Sequence, residues 1–240
     1  ITACGHHDYP PWNWVKGEKI VGACAEITQR LFRKVGLEVD LSYVGPWSRC
    51  QRKIEIGEVD VNICSFINEK RKKYSVFVPM PMGMNENAVF VKKGREFPFQ
   101  TWDDLKGKIV GMVLGVSIGE KFDAFQSQHT RISRVENFHQ NFRKLMVGRV
   151  DYIPVGRYTG RALRNTFRMT NQIVDLPTPI LVGKLYISMS KKSKHLHVLP
   201  QINKMIQDKD YPQLIEDLLS KYKNIYADDN KYKFVKLTSQ

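Results

Sequence analysis

The chain has 240 residues, of which 42% are hydrophobic and 26% charged, values of a globular protein with one large domain or two ordinary ones. No apolar run approaches the roughly 18 residues that a membrane-spanning helix needs. The net charge of +14 would suit nucleic acid, an anionic membrane or an anionic ligand. Its cations, however, are scattered along the chain in short clusters such as Lys70-Arg71-Lys72-Lys73, without zinc-finger spacing or an aromatic RNA-binding signature, which argues against nucleic acid and for small anions.

In chain order, residues 1–4 form a short strand. Tyr9-Pro10-Pro11-Trp12 reads as a rigid aromatic loop, because two prolines fix φ and lack donors. Ile27, Leu31, Phe32 and Val35 share one face of a helix over 23–35, which Gly36 ends. A strand at 39–44, a helix at 47–56 and a strand at 59–67 complete a β-α-β-α-β series. A strand at 88–91 is closed by Lys92-Lys93-Gly94, and 101–107 is a short capped turn. A second series follows: strand 109–113, a helix from Ser117 to about 125, strand 132–135, helix 138–147 and strand 150–155. Residues 184–190 are extended, 199–206 and 214–222 are helical, and the basic tail from Lys223 is expected to be loosely held.

The two series share an internal echo. Arg52-Lys53-Ile54-Glu55-Ile56-Gly57-Glu58-Val59-Asp60 returns 143 − 52 = 91 positions later as Arg143-Lys144-Leu145-Met146-Val147-Gly148-Arg149-Val150-Asp151. Each copy reads as a helix end, a glycine suited to a left-handed cap, and the start of a buried strand. The expected fold is therefore α/β and two-lobed, with the second lobe (91–184) inserted into the first (1–90 plus 185–240) and two strands as the hinge. Hinged lobes close on ligands, which sit beyond the carboxyl ends of strands. That rule points to residues 4–14, 64–71, 114–117 and 156–158. The four cysteines, Cys4, Cys24, Cys50 and Cys64, form no CxxC motif. Their even number fits disulfides in three connectivities or four buried thiols. Cys4 and Cys64 end the first and third strands, which are neighbours in a doubly wound sheet, so a Cys4 to Cys64 bond is expected.

Taken together, the chain resembles the family-3 extracellular solute-binding proteins, the receptors of polar amino-acid ABC transporters. The resemblance runs from Ile1 to about Tyr222. It rests on Tyr9-Pro10-Pro11-Trp12, Ile20-Val21-Gly22, Gly57-Glu58-Val59-Asp60, Asn68 to Phe77, Asp104-Leu105-Lys106-Gly107-Lys108-Ile109-Val110, Gly115-Val116-Ser117 and Gly148-Arg149-Val150-Asp151. It implies a periplasmic-binding-protein-like (type II) fold, a periplasmic or cell-surface location, no catalysis, no cofactor and no metal. The partners it implies are a small molecule and an ABC permease or membrane sensor, and the chain is expected to be a monomer. The chain begins without Met or a signal-like segment, as a mature or trimmed chain does.

The ligand-binding set implied is Tyr9, Trp14, Trp47, Ser65, Phe66, Arg71, Val116, Ser117, Gly156 and Arg157. Tyr9 and Trp47 match the positions that stack on a ligand. Arg71 matches the arginine that grips the carboxylate with a bidentate fork, and Ser117 meets the same group at a helix start. Two departures bear on the ligand. Gly156, followed by Arg157, stands where amino-acid receptors of the family carry the acid that binds ammonium, and Phe66 replaces a small hydroxyl residue. An unpaired ammonium is costly to desolvate, so an anionic or aromatic carboxylate is expected. His6-His7-Asp8 and His195-x-His197 do not read as metal sites, and no GxSxG, HExxH or phosphate-loop motif is present. The alternatives are a dehydratase-like enzyme, with Asp8, His6 and Glu69 as acid/base groups, and the sensory domain of a signalling receptor.

Overall fold

The computed structural model describes residues 1–231. The first half comprises β1 (Ala3–Cys4), β2 (Asp8–Tyr9), β3 (Asn13–Lys16), β4 (Lys19–Val21), α1 (Ala23–Arg33), α2 (Trp47–Ile56), β5 (Val61–Ser65), α3 (Glu69–Lys72), β6 (Ser75–Phe77) and β7 (Gly83–Lys92). The second comprises β8 (Ile109–Val113), α4 (Glu120–His129), β9 (Arg131–Val135), α5 (Phe138–Met146), β10 (Ile153–Gly156), α6 (Arg157–Thr166), β11 (Ile173–Ser190), α7 (Leu199–Ile206) and α8 (Tyr211–Lys231).

The main sheet runs β1-β5-β11-β7-β10, with β6 also on β11. β1 and β5 are parallel, whereas β11 is antiparallel to β5, β6 and β7. β7 and β11 are the two hinge strands of the expected architecture, both longer than the apolar runs that announced them. Residues 88–91 of β7 are fully buried, as in a strand covered on both faces. β11 shifts register on either side of Pro179, where the ladder loses a donor. β8 and β9 form a separate parallel pair, and β2-β3-β4 an antiparallel sheet beside α1. The echo holds in three dimensions: Gly57 and Gly148 both take left-handed φ, 85° and 71°, and both donate back to the helix they end.

Several expectations are corrected. The strand expected at 39–44 reduces to isolated bridges at Asp40 and Ser42, although Val39 and Leu41 are buried. The helix expected from Ser117 begins at Glu120. Residues 223–231 continue α8 rather than fraying, because Tyr226 is buried edge-on against Trp14; the rest of the expected loose tail lies outside the described residues. Cys4 bonds Cys50, not Cys64, and Cys64 bonds Cys24. β1 and β5 are indeed neighbours, but the register opposes Cys4 to Asn62. Strand geometry then puts the Cα of Cys64 roughly 8 Å from that of Cys4, beyond the about 7 Å a disulfide spans. Each sulfur instead meets a helix, Cys50 of α2 or Cys24 of α1, in a different apolar cluster.

Candidate functional site

A small cavity of about 30 Å³ lies where the carboxyl ends of β1, β5, β8 and β10 converge. Its walls are apolar and aromatic, with Tyr9, Trp47, Phe66 and Phe138 around Val116, Ile118 and Leu185. His6, Ser65, Arg71, Asn87 and Ser117 supply polar atoms, and no lining residue is acidic.

Arg71 is 4% exposed although it carries a charge. Asn68 caps the short helix α3 by accepting from the Arg71 amide at 2.9 Å, which aims the side chain inward. Nη1 donates to the Phe66 carbonyl (2.6 Å) and Nη2 to the Gly115 carbonyl (3.0 Å). The guanidinium lies 5.3 Å from the Trp47 ring centre, and it enters no ion pair among the described residues. Burial lowers its pKa, while Tyr74 and the Asp123 carboxylate act against that, and an anion bound directly to the guanidinium would complete the balance. The Gly115 carbonyl also accepts from Trp47 Nε1 (2.9 Å), so one oxygen after β8 joins α2 and α3 across the cleft.

His6 is equally buried, its ring 5.5 to 5.7 Å from those of Trp47, Tyr9 and Phe138. The Asp8 amide donates to His6 Nδ1 at 3.0 Å, so in the neutral imidazole Nε2 carries the proton. Burial, then His7, then Arg71 push the His6 pKa well below its ordinary value and keep it neutral. Nε2 is buried without a hydrogen-bond partner, as is Ser65 Oγ. Tyr9 accepts from Asn85 Nδ2, which leaves the phenol proton free to donate, and burial raises its pKa. The cleft is thus furnished with donors: a guanidinium, an imidazole N–H and two hydroxyls. Ser117 is the exception, since its hydroxyl donates to Asp123.

Of the expected site residues, Tyr9, Trp47, Ser65, Phe66, Arg71, Val116, Ser117 and Gly156 line this cavity. Trp14 and Arg157 do not. Trp14 is buried edge-on to Tyr222 and Tyr226 of α8. Arg157 opens α6 and is drawn to Glu86, Asp175 and the carbonyls of Leu176 and Pro177, so it fastens α6 to the hinge strands. Among the lining residues not singled out as ligand contacts are His6, Asn87 and Phe138. Asn85 and Asn87 were legible as an alternating polar pair within the apolar strand β7. Among the described residues, no group of three or more His, Cys, Asp or Glu is placed to hold a metal ion.

The profile of the bacterial extracellular solute-binding proteins, family 3, matches residues 1–234. The L-cystine-binding protein TcyJ of Escherichia coli (strain K12) is 30% identical over 152 residues, 62% of this chain and 56% of TcyJ, so the match spans little more than half of that relative. Among solved structures, the amino acid ABC transporter substrate-binding protein AbpA from Streptococcus pneumoniae, bound to L-arginine, superposes with a TM-score of 0.76 at 18% identity, covering 94% of this chain and 95% of its own. A mutant of ArgBP from T. maritima gives 0.73 at 22% identity, covering 92% and 95%. At these identities the structures establish the fold alone.

Proposed function

This chain belongs to the bacterial extracellular solute-binding proteins of family 3, and from that premise we propose that it captures a small carboxylate with a flat apolar body and no ammonium group. The observation that carries the reading is the buried Arg71, without an ion pair among the described residues, in a cleft with no acidic lining residue and with unpartnered donors at His6 Nε2 and Ser65 Oγ. A carboxylate would take the free N–H groups of Arg71, and Tyr9, Trp47, Phe66 and Phe138 would enclose the apolar body. An ammonium there would find no carboxylate partner. Val116, Ser117 and Gly156 would close over the ligand from the second lobe (91–184) onto the first (1–90 with 185 onward), and the latch of Trp47 and Arg71 on the Gly115 carbonyl favours the closed state.

Delivery to an ABC permease follows from the family, with a membrane sensor as the other recipient. The protein works as a monomer in the periplasm or at the cell surface, and its two disulfides suit such an oxidising compartment. The competing reading is an amino acid of the kind TcyJ is named for, favoured by the 30% identity to that protein.

A thermal-shift panel decides between them: matched 2-oxo, 2-hydroxy and 2-amino acids with the same side chains. A ligand at about 100 times its Kd adds roughly 2.7 kcal/mol, which for a chain of this size raises Tm by about 5–10 °C. Stabilisation by the oxo or hydroxy acids and not by the amino acids is expected. Amino acids as the strongest stabilisers, or a folded protein that responds to nothing, would reject the proposal.

A further inference from the structure

We infer that Asn85 sets the ligand class of the cleft by filling the space into which any side chain at position 156 would project. The inference rests on the reading of this cavity as the ligand site. Gly156 ends β10 and lines the cavity. Its backbone, at φ −50° and ψ 129°, is open to every residue type, so glycine is not required by conformation. It is required by room: a Cβ at 156 would stand 2.7 Å from Asn85 Oδ1, 2.8 Å from Nδ2 and 3.1 Å from Cγ.

Asn85 cannot step aside cheaply. It is 1% exposed on β7. Its Oδ1 accepts from Trp12 Nε1 (3.3 Å), and its Nδ2 donates to the Tyr9 hydroxyl and to Asn87 Oδ1 (3.4 Å). Displacing it would orphan three buried polar groups. The register opposes Gly156 to Asn87, and Asn85 lies two residues along the same face, so the end of β10 meets a floor of neutral amides. An acid at 156 would put a carboxylate into the same cavity as Arg71 and supply the acceptor an ammonium needs. Asn85 and Gly156 act as one specificity device: the amide keeps the acid out, and with it ammonium-bearing ligands.

The test uses phenylpyruvate and phenylalanine, which share ring and carboxylate and differ at the 2-position. Calorimetric Kd values are compared for the wild type, Asn85→Ser, Gly156→Asp and the double variant. The wild type should prefer the oxo acid by at least about tenfold. Gly156→Asp alone should not gain phenylalanine binding, and the double variant should shift the preference toward phenylalanine by more than tenfold. A single Gly156→Asp that shifts as far as the double, or a double that shifts nothing, overturns the inference.

A second measurement reads the contact without any ligand. Gly156→Ala should lower Tm by more than about 3 °C, and the loss should largely vanish in the Asn85→Ser background. Equal losses in both backgrounds refute the steric link. Wild-type protein that binds neither probe would instead count against the carboxylate reading, and the Tm cycle would still decide the contact.

Discussion

Replacing Arg71 by lysine keeps the charge and removes the fork, which isolates what the cleft asks of this residue. Of the five guanidinium N–H groups, two are donated to the carbonyls of Phe66 and Gly115. Tyr74 takes a further side-chain hydrogen bond, and the two that remain are enough for two parallel bonds to a carboxylate. Hydrogen bonds to charged groups are worth roughly 1.5–3 kcal/mol each. A lysine can still reach the anion as a point charge but cannot also hold both carbonyls, so a loss of about 2–3 kcal/mol is expected, or roughly 30- to 150-fold in Kd. Arg71→Ala should cost more, because it also empties a buried site. The assay is calorimetry with the strongest stabiliser from the acid panel. Small-angle scattering on the unliganded variants separates lost ligand bonds from a lost latch, since the lysine variant should stay close to the wild-type radius. Arg71→Lys binding within about threefold of wild type would refute the assignment of Arg71 as the carboxylate clamp.

Removing the Cys4 to Cys50 bond with Cys4→Ser and Cys50→Ser frees a loop whose ends are 46 residues apart. The chain-entropy relation gives about 4 kcal/mol for such a loop, so urea unfolding should show a fall of roughly 2–4 kcal/mol; a change below 1 would mean the bond is not formed. His6 titrates below its unfolded value because of burial, then His7, then Arg71. The unfolded chain therefore binds the extra proton first, and stability is lost as pH falls below about 6.5. The drop in Tm between pH 7.5 and 5.5 should be smaller in His6→Gln, and an identical drop would remove His6 from the account. A Cβ at Gly115, where φ is +76°, would press Trp47 Cδ1 at 3.2 Å and the Ser48 backbone at 3.4 Å. Gly115→Ala should therefore open the cleft and enlarge the radius of gyration, with ligand affinity falling about tenfold or more; an unchanged radius would show that the latch does not hold the lobes.

What the sequence made legible was local and periodic. The two glycine junctions, the buried strands after them and the helix face of Ile27, Leu31 and Phe32 all carry short-range signals that tertiary contacts reinforce. The hairpin of β3 and β4 was missed because Asn13 to Val21 holds a tryptophan, three charged residues and a Gly turn without clean alternation. Helix α6 was missed for a different reason: only Thr159, Gly160 and Leu163 are buried on it, and ion pairs of Arg157, Arg161 and Arg164 with Asp175 do much of the fastening. That long-range partner, on β11, also explains the misplacement of Arg157. Chain position put it beside the cleft, but a buried acid 18 residues away claimed its side chain. The cysteine pairing failed at the same level, since strand adjacency was right and register, which a single sequence does not fix, decided the bond.

The cleft residues that sequence alone undervalued share one property: their roles come from what they lack or leave over. Gly156 counts because Asn85 occupies its side-chain space, His6 because one ring nitrogen is satisfied by its own loop and the other is not, and Tyr9 because an amide takes its lone pair and leaves its proton. Helix α8 bears on the expected division into lobes in the same way. Helix α8 begins against the first lobe, where the Tyr211 hydroxyl donates to the Met82 carbonyl and Tyr222 to Glu26. It ends against α6, through Tyr226 and Thr166. The β2-β3-β4 sheet follows it, with Thr159 of α6 donating to the Pro10 carbonyl and Lys16 paired with Asp229. Two β-strands are therefore not the whole connection between the lobes. A rotation that parts Gly115 from Trp47 can keep the buried contacts of α8 with α6 only if its axis lies close to that helix. The opening of the cleft is thereby confined to the side on which Arg71 meets the Gly115 carbonyl, where the anion would have to enter.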